Sequence, residues 1–331
     1  MAGIVVSGVL LWWALHDVDP AVVLAYARHA HAGWLVVTVI LATLTFPLRT
    51  LRWRLILRDV DGHRLPLGPL WHAVAIGFMA NNLLPARAGE FARAFVANRL
   101  LPVRFTTALA SVGVERVLDG LVMVGLLALG VLLPSFPRAA TINGVPVARI
   151  VTTLGVVFGA ALVVALLVVH RPAFWLALLG RLLDRLLPQR LAGRLATIAE
   201  GLVAGLGVLT HPGRFSGVVA WSFGLWIVNA ASFWAGFRAF GIPVAPEGAF
   251  VLQGLIGFGV AVPASPGFIG VFEAITRITL AFYGIAAELG VSYAVTYHVT
   301  TFLPITLLGL WSLSRTHLGL RELRRRGVPA A

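Results

Sequence analysis

Residues 148–169 read ARIVTTLGVVFGAALVVALLVV, and Arg149 is the only charged residue among them. A helix rises 1.5 Å per residue, so about 20 apolar residues cross the roughly 30 Å hydrocarbon core of a bilayer. This stretch therefore predicts a transmembrane helix.

The composition of the whole chain agrees with that stretch. Of its 331 residues, 59% are hydrophobic and 12% are charged, whereas a soluble domain carries about 25% charged residues. Such a chain lacks the polar surface to cover a water-soluble core. In a bilayer, helices satisfy their own backbone hydrogen bonds, so the sequence predicts an all-α integral membrane protein.

The basic residues are all Arg, 26 in number, and they give a formal net charge of +13. They cluster between apolar runs, which is typical of charges that orient membrane segments rather than bind nucleic acid. The chain has no Cys, and its nine His show no ligand-like spacing. We therefore expect neither a metal nor a cofactor.

The distribution of Arg predicts the topology. Apolar segments lie near 2–15, 33–47, 68–84, 106–133, 148–169, 216–240, 248–263, 267–287 and 291–314, and Arg is abundant at 49–64, 87–104, 171–214 and 315–326. All four Arg-rich stretches face the cytoplasm if the chain forms two hairpins that each enter and leave the membrane on one side. The first hairpin would consist of 68–84 and 89–101, and the second of 248–263 and 267–287. This predicts about six full spans, the first at 2–15, plus two hairpins. Re-entrant hairpins are favoured, and hairpins that cross the membrane fully would give the same topology. Both termini are then cytoplasmic, in an inner membrane.

The two hairpins share a turn sequence. Pro85–Gly89 reads PARAG and Pro263–Gly267 reads PASPG, 178 residues further on. One polytopic domain, 1–331, would then hold an inverted repeat of about 33–133 and about 216–314, as many transporters do. An interfacial amphipathic helix at about 172–212 would join the repeats, and a basic tail, 315–331, would follow. The alternatives are two ordinary Pro-kinked helix pairs and a solvated linker.

Charged residues inside apolar sequence form three groups. They are Asn81 and Asn82 with Arg87, Glu90 and Arg93; Glu115, Arg116 and Asp119; and Glu273 with Arg277. Each buried ion costs at least about 2.5 kcal/mol on insertion scales, so several together need a reason. One reason is mutual pairing, with Glu273–Arg277 at i,i+4 as the best case.

The other reason is a polar cavity for an anionic headgroup. Guanidinium groups match phosphate with bidentate hydrogen bonds, and a helix starting after Gly89 or Gly267 adds free N–H donors. On this hypothesis Arg87, Arg93 and Arg116 face one water-accessible cavity.

At these residues the chain resembles the flippase-like membrane proteins related to the transmembrane region of lysylphosphatidylglycerol synthase. The matching strings are 82–90 with Arg93, Glu115-Arg116 with Asp119, and 263–267 leading through Gly270 to Glu273. Family members often carry Arg in the last span, where this chain has His298. The predicted substrate-binding residues are Asn81, Asn82, Pro85, Arg87, Gly89, Glu90, Arg93, Glu115, Arg116, Asp119, Pro263, Ser265, Gly267, Gly270, Glu273, Arg277 and His298.

The resemblance implies translocation of a phosphate-bearing lipid, such as aminoacylated phosphatidylglycerol or a polyprenyl-phosphate-linked precursor. The expected partners are membrane lipids with anionic headgroups. We expect no catalytic residue, because the soluble aminoacyl-transferase domain of the synthase is absent from this sequence. The alternative is an integral-membrane enzyme acting on a lipid headgroup, with Glu90, Glu115 or Asp119 in acid–base roles.

Overall fold

In the part of the chain that the structure describes, the regular structure is helical apart from one β-hairpin with strands of two residues each. The computed structural model describes residues 2–84, 87–142, 144–260, 265–316 and 318. The helices are α1 Ala2–Leu15, α2 Pro20–His29, α3 Ala32–Ile56, α4 Leu67–Leu83, α5 Ala88–Leu100, α6 Phe105–Leu132, α7 Val147–His170, α8 Pro172–Leu186, α9 Gln189–Gly205, α10 Pro212–Ala239, α11 Pro246–Gly259, α12 Val271–Phe282 and α13 Ala287–Thr316. Strands β1 Thr141–Ile142 and β2 Val145–Pro146 pair antiparallel before α7.

Within the described residues, five helices are long and apolar enough to cross a membrane: Ala32–Ile56, Val147–His170, Gln189–Thr210, Pro212–Ala239 and Ala287–Thr316. A sixth span exists if Val5–Leu15 and Pro20–His29, bent by 82°, count as one. The expected first span at 2–15 is therefore half of a bent pair, since 14 residues rise only about 21 Å. Helix α6 is 28 residues long and contains three charged residues.

Helices α3 and α10 form the centre of the molecule and run antiparallel. Near one end the Trp34 and Trp234 rings lie 6.0 Å apart. Near the other end Arg52 donates to Ser222 at 2.9 Å. Residue numbers rise along α3 as they fall along α10, which fixes the relative direction.

Two further helix contacts flank this pair. Helix α4 packs on α13, where Gly309 lies against Met79. Helix α11 packs on α6, where Gly254 lies against Leu127. If α3–α6 is matched with α10–α13, then α4 corresponds to α11 and α6 corresponds to α13. The contact α4–α13 is then the counterpart of the contact α11–α6. Glycine at each crossing allows the backbones to approach closely.

The Arg-rich loops meet at one end of the molecule. Arg58, Arg104 and Arg214 line one cavity there, and a single hydrophobic cluster joins Leu57, Leu101 and Val208, among others. The hairpin α4–α5 begins and ends here.

The hairpin α11–α12 begins and ends at the opposite end. Glu247, near its start, accepts a hydrogen bond from Ser135 at 2.6 Å. Phe282, at its finish, lies 6.3 Å from Phe136 between ring centroids. Both partners follow the C-terminal end of α6, so the two hairpins enter the helix bundle from opposite ends.

The segment 172–212 differs from the expected single helix. Helix α8 ends at Leu186, and Pro188 precedes α9, which continues into a 3-10 turn, Leu206–Thr210. Gly201 and Gly205 bring α9 against α6 at Thr106 and Ala110. Helix α8 has no buried residue among those described, and its position at the membrane interface stays a prediction.

Candidate functional site

Helix α3 contributes two Arg side chains to the interior of the protein. The stretch 49–64 was expected to be a cytoplasmic loop. This is wrong for Arg49 and Arg52, because α3 continues past Pro47 to Ile56. Both side chains are buried, Arg52 with 0% of its surface exposed. They continue the helical face of Thr38, Ala42 and Thr45, which is buried against α10.

Asp119 of α6 is the main partner of Arg52. Its two carboxylate oxygens accept from the two terminal nitrogens of Arg52, and one oxygen also accepts from Trp226 Nε1 at 2.8 Å. Arg49 Nη1 lies 3.8 Å from the carboxylate. Since the bidentate pair fixes both side chains, α3, α6 and α10 are joined through Asp119.

Glu115, one turn earlier on α6, holds a second Arg. It accepts from Arg93 of α5 at 2.5 Å and lies 3.3 Å from Arg52. The Arg93 guanidinium lies over the Trp53 ring, 3.8 Å from its centroid. With its side chain 3% exposed, Arg93 does not face a water-accessible cavity, contrary to expectation.

Glu90 lies at the partly exposed margin of this network. It is 3.8 Å from Arg87 and 3.6 Å from Arg116. Arg116 is also 3.7 Å from Asp119, three residues further along α6. The side chains of Arg87 and Arg116 are 35% and 32% exposed, and they reach solvent where Arg93 does not.

The network carries more positive than negative charge. Among the described residues it holds five Arg and three carboxylates, for a formal net charge of +2; they are Arg49, Arg52, Arg87, Arg93, Arg116, Glu90, Glu115 and Asp119. Nε and Nη1 of Arg49 are buried and find no hydrogen-bond partner in the part of the chain that the structure describes. Buried polar groups normally have partners, so Arg49 offers donors to something else.

A cavity of about 240 Å³ adjoins Arg49. Its lining includes Thr45, Asn82, Asn229 and His298, together with aromatic side chains of α4, α10 and α13. The cavity thus connects the ionic network with the second turn. A lining of aromatic rings combined with polar side chains is typical of ligand sites.

The second turn holds a Glu–His pair. Glu273 accepts from the Gly270 N–H at 2.6 Å and so caps α12, while its other oxygen lies 2.6 Å from His298 Nδ1. His298 Nε2 lies 2.9 Å from the Gly267 carbonyl. Because a carbonyl oxygen only accepts, Nε2 is the donor to Gly267.

The expected Glu273–Arg277 pair is wrong. Arg277 instead makes a bidentate pair with Asp17, at 2.7 and 2.6 Å, and donates to the carbonyls of Trp13 and Ala14. It therefore ties α12 to the end of α1 and lies outside the central network.

The two turns meet through the residues that flank them. Arg87 donates to the Val260 carbonyl at 2.8 Å, and its guanidinium lies 5.9 Å from the Phe268 ring centroid. Pro85 and Pro263 lie outside the described residues.

The other predicted site residues have local contacts. Asn81 accepts from Gly89 N–H at 2.9 Å, and Asn82 donates to Thr306 at 2.8 Å. The Ser265 N–H donates to Ser7 at 2.8 Å, and Gly270, at φ +89°, lies directly against Ser7 of α1. Asn82, Gly267 and His298 line the cavity, whereas Asn81 and Gly89 fasten α4 to α5.

The loop after α3 brings three residues of metal-ligating type together. Asp59, Asp61 and His63 each place one ligand atom within 4.8 Å of the others. Asp59 already accepts from the backbone N–H groups of Asp61 and His63 at 3.0 and 2.7 Å, which is the ordinary geometry of a polar turn.

These features define an all-α, multi-pass membrane protein with a buried ionic network beside a polar cavity. The chain belongs to the family of the lysylphosphatidylglycerol synthase TM region, whose model matches residues 1–309. The chain is also similar to glycosyltransferase AglD of Haloferax volcanii, with 30% identity over 302 residues. That match covers 82% of this chain and 47% of the relative, so the chain spans about half the length of this curated relative.

Proposed function

We propose that this chain is a translocase that moves a phosphate-bearing lipid across the inner membrane. The observation that carries the proposal is Arg49, which lines the cavity and has two buried nitrogens without a hydrogen-bond partner among the described residues. A guanidinium in a net positive network favours an anion, and phosphate matches its fork geometry. The family of the chain supports a lipid substrate.

The packing of the helices supports an inverted repeat. The antiparallel α3–α10 pair, the matching contacts α4–α13 and α6–α11, and hairpins from opposite ends are what two inverted halves produce. The four hairpin helices have 12 to 17 residues, about 18 to 26 Å, which is shorter than the roughly 30 Å core. We therefore propose that the hairpins are re-entrant and that their turns meet at the site, as in many transporters.

A headgroup-modifying enzyme is the second candidate, because the relative AglD is named a glycosyltransferase. The carboxylates argue against it. Glu115 and Asp119 are buried, 1% and 3% exposed, and each is paired with Arg, and neither is among the residues that line the cavity beside Arg49. Glu90 is the more accessible carboxylate of the network.

The test is lipid translocation in reconstituted vesicles by Arg49→Lys, normalised to folded protein. Lys keeps the charge but loses the fork, so we expect transport to fall by about tenfold, the effect of about one charge-assisted hydrogen bond. Arg99→Lys, at an exposed position beside Phe95, is the matched control and keeps full activity. Full transport by Arg49→Lys would refute the assignment. Chemical turnover of the lipid by purified protein would favour the enzyme.

A further inference from the structure

The Arg-rich end of the protein contains a cavity of about 470 Å³, separate from the one beside Arg49. Three segments enclose it: the loop after α3, the start of α6, and the 3-10 turn that leads into α10. Its lining includes Arg58, Arg104, His211 and Arg214. The volume lies in the range of small-ligand sites, about 300–1,000 Å³.

The three Arg side chains of this cavity form no salt bridge with a carboxylate of the described residues. None of the salt bridges between described residues includes Arg58, Arg104 or Arg214. The lining contains one carboxylate, Asp59, which accepts from two N–H groups of its own loop.

Two guanidinium nitrogens of the cavity also lack hydrogen-bond partners. Nε of Arg58 and Nε of Arg214 are buried, and neither meets an acceptor in the part of the chain that the structure describes. Burial lowers the pKa of Arg58, and the charges of Arg64 and Arg54 lower it further. A bound anion would supply both the acceptors and the missing negative charge.

We infer that this cavity is a second binding site of the chain, built for a phosphate group. Three guanidinium groups around one cavity match the three or four oxygens of a phosphate, and planar forks bind such oxygens in pairs. Basic pockets between the cytoplasmic ends of membrane helices also recognise lipid phosphates. The phosphate belongs either to a lipid headgroup or to a soluble phosphate compound.

Ser111 and Trp53 connect the second cavity with the ionic network. Ser111 lines the second cavity and accepts from Trp53 Nε1 at 2.8 Å. The Arg93 guanidinium lies over the ring of the same Trp53, 3.8 Å from its centroid. The second site is therefore linked to the ionic network through Ser111 and Trp53, and no Arg belongs to both.

The experiment measures binding to the purified full-length protein in an uncharged detergent, by isothermal titration calorimetry. The probes are inorganic phosphate and phosphatidic acid in mixed micelles. We expect Arg104→Gln and Arg214→Gln to weaken binding of at least one probe, each on the order of tenfold, because each removes one charged donor. Arg185→Gln, on the exposed face of α8, removes the same charge elsewhere and keeps wild-type affinity.

The two probes distinguish the source of the phosphate. Weakened binding of phosphatidic acid, with no binding of inorganic phosphate, assigns the site to a lipid headgroup. Weakened binding of inorganic phosphate assigns it to a soluble compound. Arg104 is exposed and caps no helix with its side chain, so Arg104→Gln decides the matter if Arg214→Gln does not fold.

Three results would overturn the inference. The first is unchanged affinity for both probes in a folded Arg104→Gln variant. The second is an equal loss of affinity in Arg185→Gln, which would indicate attraction to overall charge. The third is an equal loss in Arg49→Lys, which would place the bound phosphate at the central network instead. Failure of Arg49→Lys to affect transport would refute the proposed function and leave this site standing.

Discussion

Asp119→Asn tests how the ionic network holds the helices together. The carboxylate accepts from Arg52 through both oxygens and from Trp226, and it also faces Arg49 at 3.8 Å. Asn keeps the size and one oxygen, but it presents an NH2 group to a guanidinium donor. Glu115 alone would then balance Arg52 and Arg93.

The expected cost follows from burial. Asp119 is 3% exposed and Arg52 is 0% exposed, and removal of one partner of a buried ion pair costs about 3–5 kcal/mol. The equilibrium between folded and unfolded protein should therefore shift by roughly a hundredfold to a few thousandfold. Arg116→Gln is the matched comparison, because its side chain is 32% exposed and its carboxylate neighbours lie at 3.6 and 3.7 Å. Exposed pairs contribute about 0–1 kcal/mol.

The assay is unfolding in mixed micelles of increasing SDS content, followed by far-ultraviolet circular dichroism. Asp119→Asn should unfold at a lower SDS fraction than wild type, and Arg116→Gln close to wild type. If Asp119→Asn loses less than about 1 kcal/mol, the value for exposed pairs, water stabilises these charges and the buried network described above is wrong. Equal losses in both variants would contradict the difference in burial.

Three further predictions concern packing, the Glu–His pair and sidedness. Gly89→Ala should lose about 1–3 kcal/mol of unfolding free energy, because its Cβ would lie 1.9 Å from the Gly77 carbonyl oxygen. Gly224→Ala, with nothing within 4 Å, should be neutral or stabilising, and equal losses would contradict the packing. Glu273→Gln should keep the stability of the wild type, whereas Glu273→Ala should lose at least about 1 kcal/mol of unfolding free energy because the helix cap is removed. SDS unfolding measures both variants, and an unaffected Ala variant would refute the capping role. Arg185→Cys and Arg58→Cys in this Cys-free chain should react with an impermeant thiol reagent only from the cytoplasmic side, and labelling from outside would refute the topology.

The class of protein and the helix pattern could be predicted from the sequence. Apolar length alone identified a helical membrane protein, and the Arg distribution predicted hairpins at α4–α5 and α11–α12. The charges of α6 were recognised because ions inside apolar sequence are costly. Apolar length, the distribution of Arg and charges within apolar runs can all be read along the chain, without information on which helices pack together.

Arg49 and Arg52 were missed because two local rules conflict there. The positive-inside rule assigns Arg after an apolar run to a loop, whereas the buried face of α3 continues at helical spacing through Thr38, Ala42 and Thr45 to both Arg residues. The helical spacing predicts the burial of Arg49 and Arg52 correctly. It could have been followed past Pro47, because neighbouring helices and side chains tolerate Pro in membrane helices.

The partners of Glu273 and Arg277 could not be predicted from spacing. Helix α12 begins after Gly270, so Glu273 lies in its first turn and turns back to the Gly270 N–H. Its charge partner His298 comes from α13, and Asp17, the partner of Arg277, lies 260 residues away. The position of α9 did have a local signal, because Gly201 and Gly205 form a GxxxG pattern that favours close helix packing.

The proposed repeat also explains why the ionic network lies where it does. Pro85 and Pro263 are 178 residues apart, and this offset carries Arg49 to position 227, beside Trp226 of α10. Arg49 and Trp226 are already in contact, with the guanidinium 4.8 Å from the ring centroid. With this repeat, the antiparallel crossing of α3 and α10 would fall on the axis that relates the two halves. A group bound there would keep its place if the halves exchanged roles, while the hairpins from opposite ends would change which side has access to it. Since α3 supplies Arg at the crossing and α10 supplies Trp and Ser, the halves are equivalent in fold but not in charge, and the phosphate would contact the first half more strongly than the second.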